Sequence, residues 1–144
     1  MSDDKGSSTV GHPLEQRKVI ILIVEDQEGV RTAVHDWLCG VFDGLHLINA
    51  NSGEEAIALS AVEAPDLVLL DIELPHMSGL QTLQRLKALF PQTHVVMFTV
   101  HRETCYRLQA SEAGATAYVL KHEVGELIAI LTELFPSLQR KEHL

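Results

Sequence analysis

Asp71 closes the apolar run Leu67-Val68-Leu69-Leu70, and the acidic pair Glu25-Asp26 closes another, Val19 to Val24. Thr99 follows Val95-Val96-Met97-Phe98, and Lys121 follows Ala117-Tyr118-Val119-Leu120. If the four runs are neighbouring strands, their ends bring carboxylates, an alcohol and an ammonium to one pocket. At about 5 Å and an effective dielectric near 20, each like-charged carboxylate pair costs roughly 3 kcal/mol. One lysine does not offset that, whereas a hard divalent cation does. Mg²⁺ suits one or two direct carboxylates completed by water and phosphate oxygens. Such a pocket invites a phosphoryl group, with Lys121 screening its oxygens and the Thr99 hydroxyl donating to one of them. A central Asp71 is then placed to act as a nucleophile that forms an acyl phosphate.

The elements that must hold these groups alternate along the chain. Val19–Val24 is apolar at every position, as a central parallel strand covered on both faces must be. Val30, Ala33, Val34, Trp37, Leu38 and Val41 then mark one helix face, and Asp43-Gly44 breaks it. The run from Leu45 to Ala50 is a more polar strand, nearer an edge. Ser52 and Glu55 have capping-box spacing for a helix running to about Glu63. After the Asp71 strand, Gly79 leads into a third helix with Leu80, Leu83, Leu86 and Leu89 inward, closed by Pro91. Val95–Thr99 is the fourth strand. The fourth helix, 103–113, has a poor apolar stripe and is expected to dock weakly, with Gly114 as a left-handed stop. After the fifth strand, a helix over 124–135 turns Val124, Leu127, Ile128, Leu131, Leu134 and Phe135 inward. Alternating strands and helices with right-handed crossovers predict a single doubly wound α/β domain over 18–135. Its ligand sits beyond the carboxyl ends of the strands. Residues 1–17 are expected to be a flexible polar tail, and 136–144 a short one.

Bulk properties narrow the function. The chain has 144 residues, 46% of them hydrophobic, and a formal net charge of −9. That balance argues against a surface built to bind nucleic acid. No apolar stretch is long enough to span a bilayer, and residues 1–11 hold no signal-peptide core. A reduced, cytoplasmic setting follows for Cys39 and Cys105, which read as ordinary thiols on helices. The eight histidines match no metal-ligand spacing.

Taken together, Glu25-Asp26, the segment from Asp71 to Gly79, Thr99, and Lys121 after Gly114–Leu120 resemble the response-regulator receiver domain of two-component signalling, a CheY-like module. The resemblance covers about residues 18–135. It implies a (βα)5 fold with flavodoxin-like strand order 2-1-3-4-5, and a phosphorylation-activated switch in a phosphorelay. Asp71 would be the phosphoacceptor, charged from a sensor histidine kinase or a histidine phosphotransfer protein. Mg²⁺ would be held by Asp26, Asp71 and the backbone carbonyl of Glu73, with Glu25 acting through water. Thr99 would be the switch hydroxyl, Lys121 the phosphoryl partner and Tyr118 the rotating aromatic. Glu73 and His101, two beyond the acceptor and two beyond the switch hydroxyl, would modulate how long the phosphoryl group survives. A downstream protein would dock on the face made by the fourth helix, fifth strand and fifth helix, and a phosphorylation-dependent homodimer is compatible with this arrangement.

Two positions depart from the family pattern. His122 stands where many receivers have proline, and Val100, where many have a small residue, is placed to crowd the acyl phosphate. No helix-turn-helix follows, so this sequence is expected to carry no DNA-binding output. A stand-alone receiver and the receiver of a longer DNA-binding regulator both fit. Among other classes, a Mg²⁺-dependent aspartyl-phosphate phosphatase would explain Glu73 two residues after Asp71, but the surrounding sequence differs and no cap domain is expected. A flavin module is disfavoured by the acidic pocket, and a pseudo-receiver by the full acidic set. The expectation is a switch that catalyses only its own phosphorylation and slow dephosphorylation.

Overall fold

The computed structural model describes residues 17–142. In chain order the elements are β1 (Val19–Val24), α1 (Glu28–Val41), β2 (Phe42–Asp43), β3 (Leu45–Ala50), α2 (Gly53–Val62), β4 (Leu67–Leu70), α3 (Gly79–Leu89), β5 (His94–Thr99), α4 (Thr104–Glu112), β6 (Ala117–Leu120), α5 (Val124–Leu134) and β7 (Gln139–Arg140). The main sheet is parallel with order β3-β1-β4-β5-β6. Counting only its own strands, this is the expected 2-1-3-4-5.

The continuous apolar runs are explained by burial on both faces. Alternate side chains of each strand enter different cores. Ile21, Ile23, Leu69, Val96 and Val119 pack with Leu38 of α1 and with Leu127 and Leu131 of α5. Leu22, Val24, Val68, Leu70, Val95 and Met97 pack with Ala56 of α2, Leu83 and Leu86 of α3, and Ala110 of α4. Each fully buried aliphatic side chain contributes about 1.5–3 kcal/mol. As the poor stripe predicts, Ala110 is the buried residue of α4. Gly114, at φ +98°, turns the chain out of that helix.

Register decides what the strand ends bring together. Val24 is paired with both Ala50 and Leu70, so Glu25 and Asp71 leave neighbouring strands at one level. Thr99 is paired with Leu120, so Lys121 emerges one residue beyond. The Lys121 N–H donates to the Thr99 carbonyl at 2.9 Å.

Several details differ from the sequence reading. Leu89 is 51% exposed and Val124 38% exposed. Leucines at three-residue spacing drift about 60° per step around a helix, so by Leu89 the row has left the core face of α3. Thr82, 0% exposed, takes an inward place instead. It lies against Gly53, where an added Cβ would meet Thr82 Oγ1 at 2.1 Å. Ala33, read as inward, is exposed.

The C-terminal stretch is not a simple tail. Gln139–Arg140 pairs antiparallel with Phe42–Asp43, and the Lys141 N–H donates to the Val41 carbonyl at 2.8 Å. Leu138 is 7% exposed within the α1/α5 core. The apolar side chain of Leu138 draws the strand back under the end of α1. Residues 1–16 of the expected N-terminal tail lie outside the described residues. Arg17 is anchored, its guanidinium donating to both carboxylate oxygens of Asp66 at 3.3 Å.

Candidate functional site

Beyond the carboxyl ends of β1 and β4 lies a cavity of about 280 Å³, lined by Glu25, Asp26, Gln27, Val30, Asp71, Glu73, Val100 and Lys121. Glu25 and Asp71 are buried at 4% and 7% exposure, and Thr99, at 0%, ends β5. Asp26 is exposed. Lys121 reaches in from the end of β6. Its ammonium donates to Asp71 Oδ2 at 2.8 Å and to Glu25 Oε1. Main-chain donors hold the other oxygens: the Glu73 N–H donates to Asp71 Oδ1 at 3.2 Å, and the Gln27 N–H to Glu25 Oε2 at 3.1 Å.

The loop carrying Asp71 is braced from below. Gly79 donates its N–H to the Ile72 carbonyl at 2.8 Å. A Cβ on Gly79 would lie 2.0 Å from the Asp71 carbonyl oxygen. Glycine is therefore required by close backbone approach rather than by its φ. A reciprocal capping box starts α3: the Gln81 N–H donates to Ser78 Oγ at 3.1 Å, and the Ser78 N–H donates to Gln81 Oε1 at 3.0 Å.

Two carboxylates share one ammonium, and their titration diverges. Burial pushes the Asp71 carboxyl up, but the hydrogen bond and charge of Lys121 outweigh it and leave Asp71 below its ordinary 3.8. Burial dominates at Glu25 and leaves it above its ordinary 4.5, because Lys121 offsets only part of the desolvation. Burial alone would lower the Lys121 ammonium, yet its bonds to Asp71 and Glu25 hold it above 10.5. Of the two, Asp71 is the carboxylate whose ionised form Lys121 favours over the cost of burial.

A second set of contacts centres on His101. Its N–H donates to Thr99 Oγ1 at 3.3 Å, and its carbonyl accepts from the Tyr118 hydroxyl at 2.7 Å. Its Nε2 lies 3.0 Å from Glu73 Oε1. The Tyr118 ring lies under the Arg107 guanidinium at 4.7 Å from the ring centroid. Burial raises the Tyr118 hydroxyl to about 12.

Residues 21–132 match the response regulator receiver domain. The chain belongs to that family. Over 101 residues it is 39% identical to the transcriptional activator protein ExaE of Pseudomonas putida, spanning 70% of this chain and 47% of that protein. It is 34% identical over 103 residues to sporulation initiation phosphotransferase F of Bacillus subtilis, spanning 70% of this chain and 80% of that one. A crystal structure of a CheY-like response regulator receiver domain protein from Methanospirillum hungatei aligns with a TM-score of 0.75 at 27% identity, covering 83% of this chain and 96% of the other. The chain spans about half the length of most of the curated relatives it matches. As a receiver domain it is part of two-component signalling.

In this receiver domain, the residues singled out from sequence separate into two groups. Glu25, Asp71 and Lys121 meet directly, with Asp26 and the Glu73 side chain on the rim of the same cavity. Tyr118 does not line the cavity; it joins the site through His101. Val100 borders the cavity and is 65% exposed. After Lys121 the chain turns at once, the Glu123 N–H donating to the Leu120 carbonyl at 2.8 Å, so His122 replaces proline without opening the loop. Among the described residues, no group of three or more His, Cys, Asp or Glu side chains is arranged to hold a metal ion by itself. The acidic side of the cavity offers oxygen donors only, a set that suits a hard cation retaining several waters. No helix among the described residues is long and apolar enough to cross a membrane.

Gln27 and Arg31 were not read as site residues. The Arg31 guanidinium donates to the Glu25 carbonyl at 2.8 Å, fixing the chain where it leaves β1. Its place one turn into α1 after an acidic pair was the available signal. Arg107 and Tyr106 carried none, because the Tyr118 and His101 rings they meet lie outside α4, where no helical periodicity marks them.

Proposed function

We propose that this receiver accepts a phosphoryl group on Asp71 and switches its protein contacts in response. The observation that carries this reading is Lys121 bonded to both Asp71 and Glu25 at the carboxyl ends of three parallel strands. An Asp71 carboxylate oxygen attacks phosphorus, the phosphorus–nitrogen bond to a donor histidine breaks, and the imidazole leaves with the electron pair and takes up a proton. The product is an acyl phosphate. Lys121 pairs with the phosphoryl oxygens. The Thr99 hydroxyl accepts from the His101 N–H, which leaves its own proton to donate to the phosphoryl group.

Asp26, Asp71 and the Glu73 carbonyl would hold Mg²⁺, with Glu25 acting through water; the ion would neutralise charge on the phosphoryl oxygens during transfer. The donor is a histidine kinase or histidine phosphotransfer protein. The output is a protein partner on the face of α4, β6 and α5, in the cytoplasm. The chain acts as a phosphoacceptor rather than as an enzyme on another substrate. A second reading, the receiver of a longer transcription regulator, is favoured by relatives about twice as long, ExaE among them.

Phosphotransfer from a labelled phosphohistidine donor or acetyl phosphate with Mg²⁺ tests the acceptor. Label is expected on wild type and absent from Asp71→Asn. Full labelling of that variant would overturn the assignment.

A further inference from the structure

Glu73 and His101 belong to different loops, one after β4 and one after β5, and their side chains meet at 3.0 Å. The contact spans the rim of the acidic cavity, which Glu73 lines. Among the described residues, His101 is also the one bonded to both Thr99 and Tyr118, through its N–H and its carbonyl. Its ring packs edge-on to Tyr106 of α4, centroids 5.7 Å apart. Displacing His101 must therefore disturb the Thr99 hydroxyl and release the Tyr118 hydroxyl together.

We propose that the Glu73–His101 contact is a clasp that holds the loop after β5, and with it the Tyr118 hydroxyl on the His101 carbonyl, before any phosphoryl group arrives. His101 is a positioning residue: it acts through Thr99 and Tyr118. Glu73 anchors it from the loop of Asp71. The Arg107 guanidinium over the Tyr118 ring supports the same position from α4. Tyr118 then reports the state of the rim, and the resting protein is already biased toward the arrangement in which its hydroxyl is bonded to His101. The Glu73 side chain is 80% exposed, so replacing it leaves the core untouched. An exposed pair of this kind shifts an equilibrium about two- to fivefold. This rests on the proposed function only for its meaning in signalling; the geometry and its test do not require phosphorylation.

The test is ¹⁹F NMR of the full chain labelled with fluorotyrosine, unphosphorylated, with Tyr106→Phe used to assign Tyr118. In wild type one Tyr118 resonance is expected, little changed by Mg²⁺ and beryllofluoride. In Glu73→Ala it should move or broaden toward the exposed position, with the outward population raised about two- to fivefold. Glu73→Gln, which keeps an oxygen for the imidazole N–H, should restore the wild-type signal. Tyr118 resonances that coincide in wild type, Glu73→Ala and His101→Ala would overturn the clasp. So would a wild-type signal that lies at the exposed position and moves inward only with beryllofluoride. Asp71→Asn labelling fails or succeeds independently of these spectra.

Discussion

The Lys121 ammonium lies 2.8 Å from Asp71 Oδ2 and bonds Glu25 as well, so one cation at the end of β6 is shared by carboxylates at the ends of β4 and β1. Strands that are far apart in sequence are tied at their carboxyl ends by a single side chain. The site is thereby stable enough to exist and still too acidic to be at rest.

Replacing Lys121 by Met leaves Glu25 and Asp71 facing each other without a counter-charge. The ammonium is partly exposed, at 19% for its side chain, so the expected loss is about 1–3 kcal/mol rather than the larger cost of a fully buried pair. Urea unfolding in EDTA measures it. An unfolding midpoint equal to wild type would show that the bridge contributes nothing to the resting fold.

Glu25→Gln and Asp71→Asn should move stability in opposite directions at pH 7. Glu25 is raised by burial. Its folded form binds a proton more tightly than the unfolded chain does, so its ionised state weakens the fold, and the glutamine variant should be the more stable. Asp71 is lowered, chiefly because Lys121 overcomes the cost of burial. Its contribution is complete above the ordinary 3.8 and is lost as pH falls through its lower folded value. Asparagine should therefore be the less stable. Both differences shrink in acid, Glu25's first, because its window opens above 4.5 as pH is lowered. A series of urea curves against pH checks the two signs separately.

Mg²⁺ binding should stabilise the folded chain, by about 2.7 kcal/mol at a hundredfold excess over its dissociation constant. Asp26 is exposed on the rim, and its side chain has no hydrogen bond or ion pair to another of the described residues. Asp26→Asn should leave the midpoint in EDTA unchanged while weakening Mg²⁺ by about tenfold or more. Titration calorimetry, or the fluorescence of Trp37 in the adjoining groove, reads the affinity. Equal affinity in both proteins would remove Asp26 from the donor set.

Gly79→Ala places a methyl group 2.0 Å from the Asp71 carbonyl oxygen. Backbone must shift, at about 1–3 kcal/mol, and the shift falls on the loop that carries Asp71. Slower labelling of Asp71 together with a lower unfolding midpoint is expected. A variant matching wild type in both would show that the Asp71 loop yields without cost.

What the chain's residues determine by themselves is the alternation of elements and the chemistry at their ends. Runs such as Val19–Val24 and Leu67–Leu70 are apolar at every position because a central parallel strand is buried twice. Crossover handedness then leaves one edge of the sheet for Glu25, Asp71, Thr99 and Lys121. Local signals served where the partner is near in sequence, as at Ser52 with Glu55 and at Gly114. Only the tertiary structure decided the level at which Val24 meets Leu70, the bond of Lys121 to two carboxylates, the need for glycine at position 79, the return of Leu138 to the core, and the contacts of His101 with Glu73 and Tyr118. Each joins segments whose separation in the chain carries no periodic trace, and each depends on register, which a shift of one residue along a strand would destroy while leaving the apolar pattern almost as readable as before.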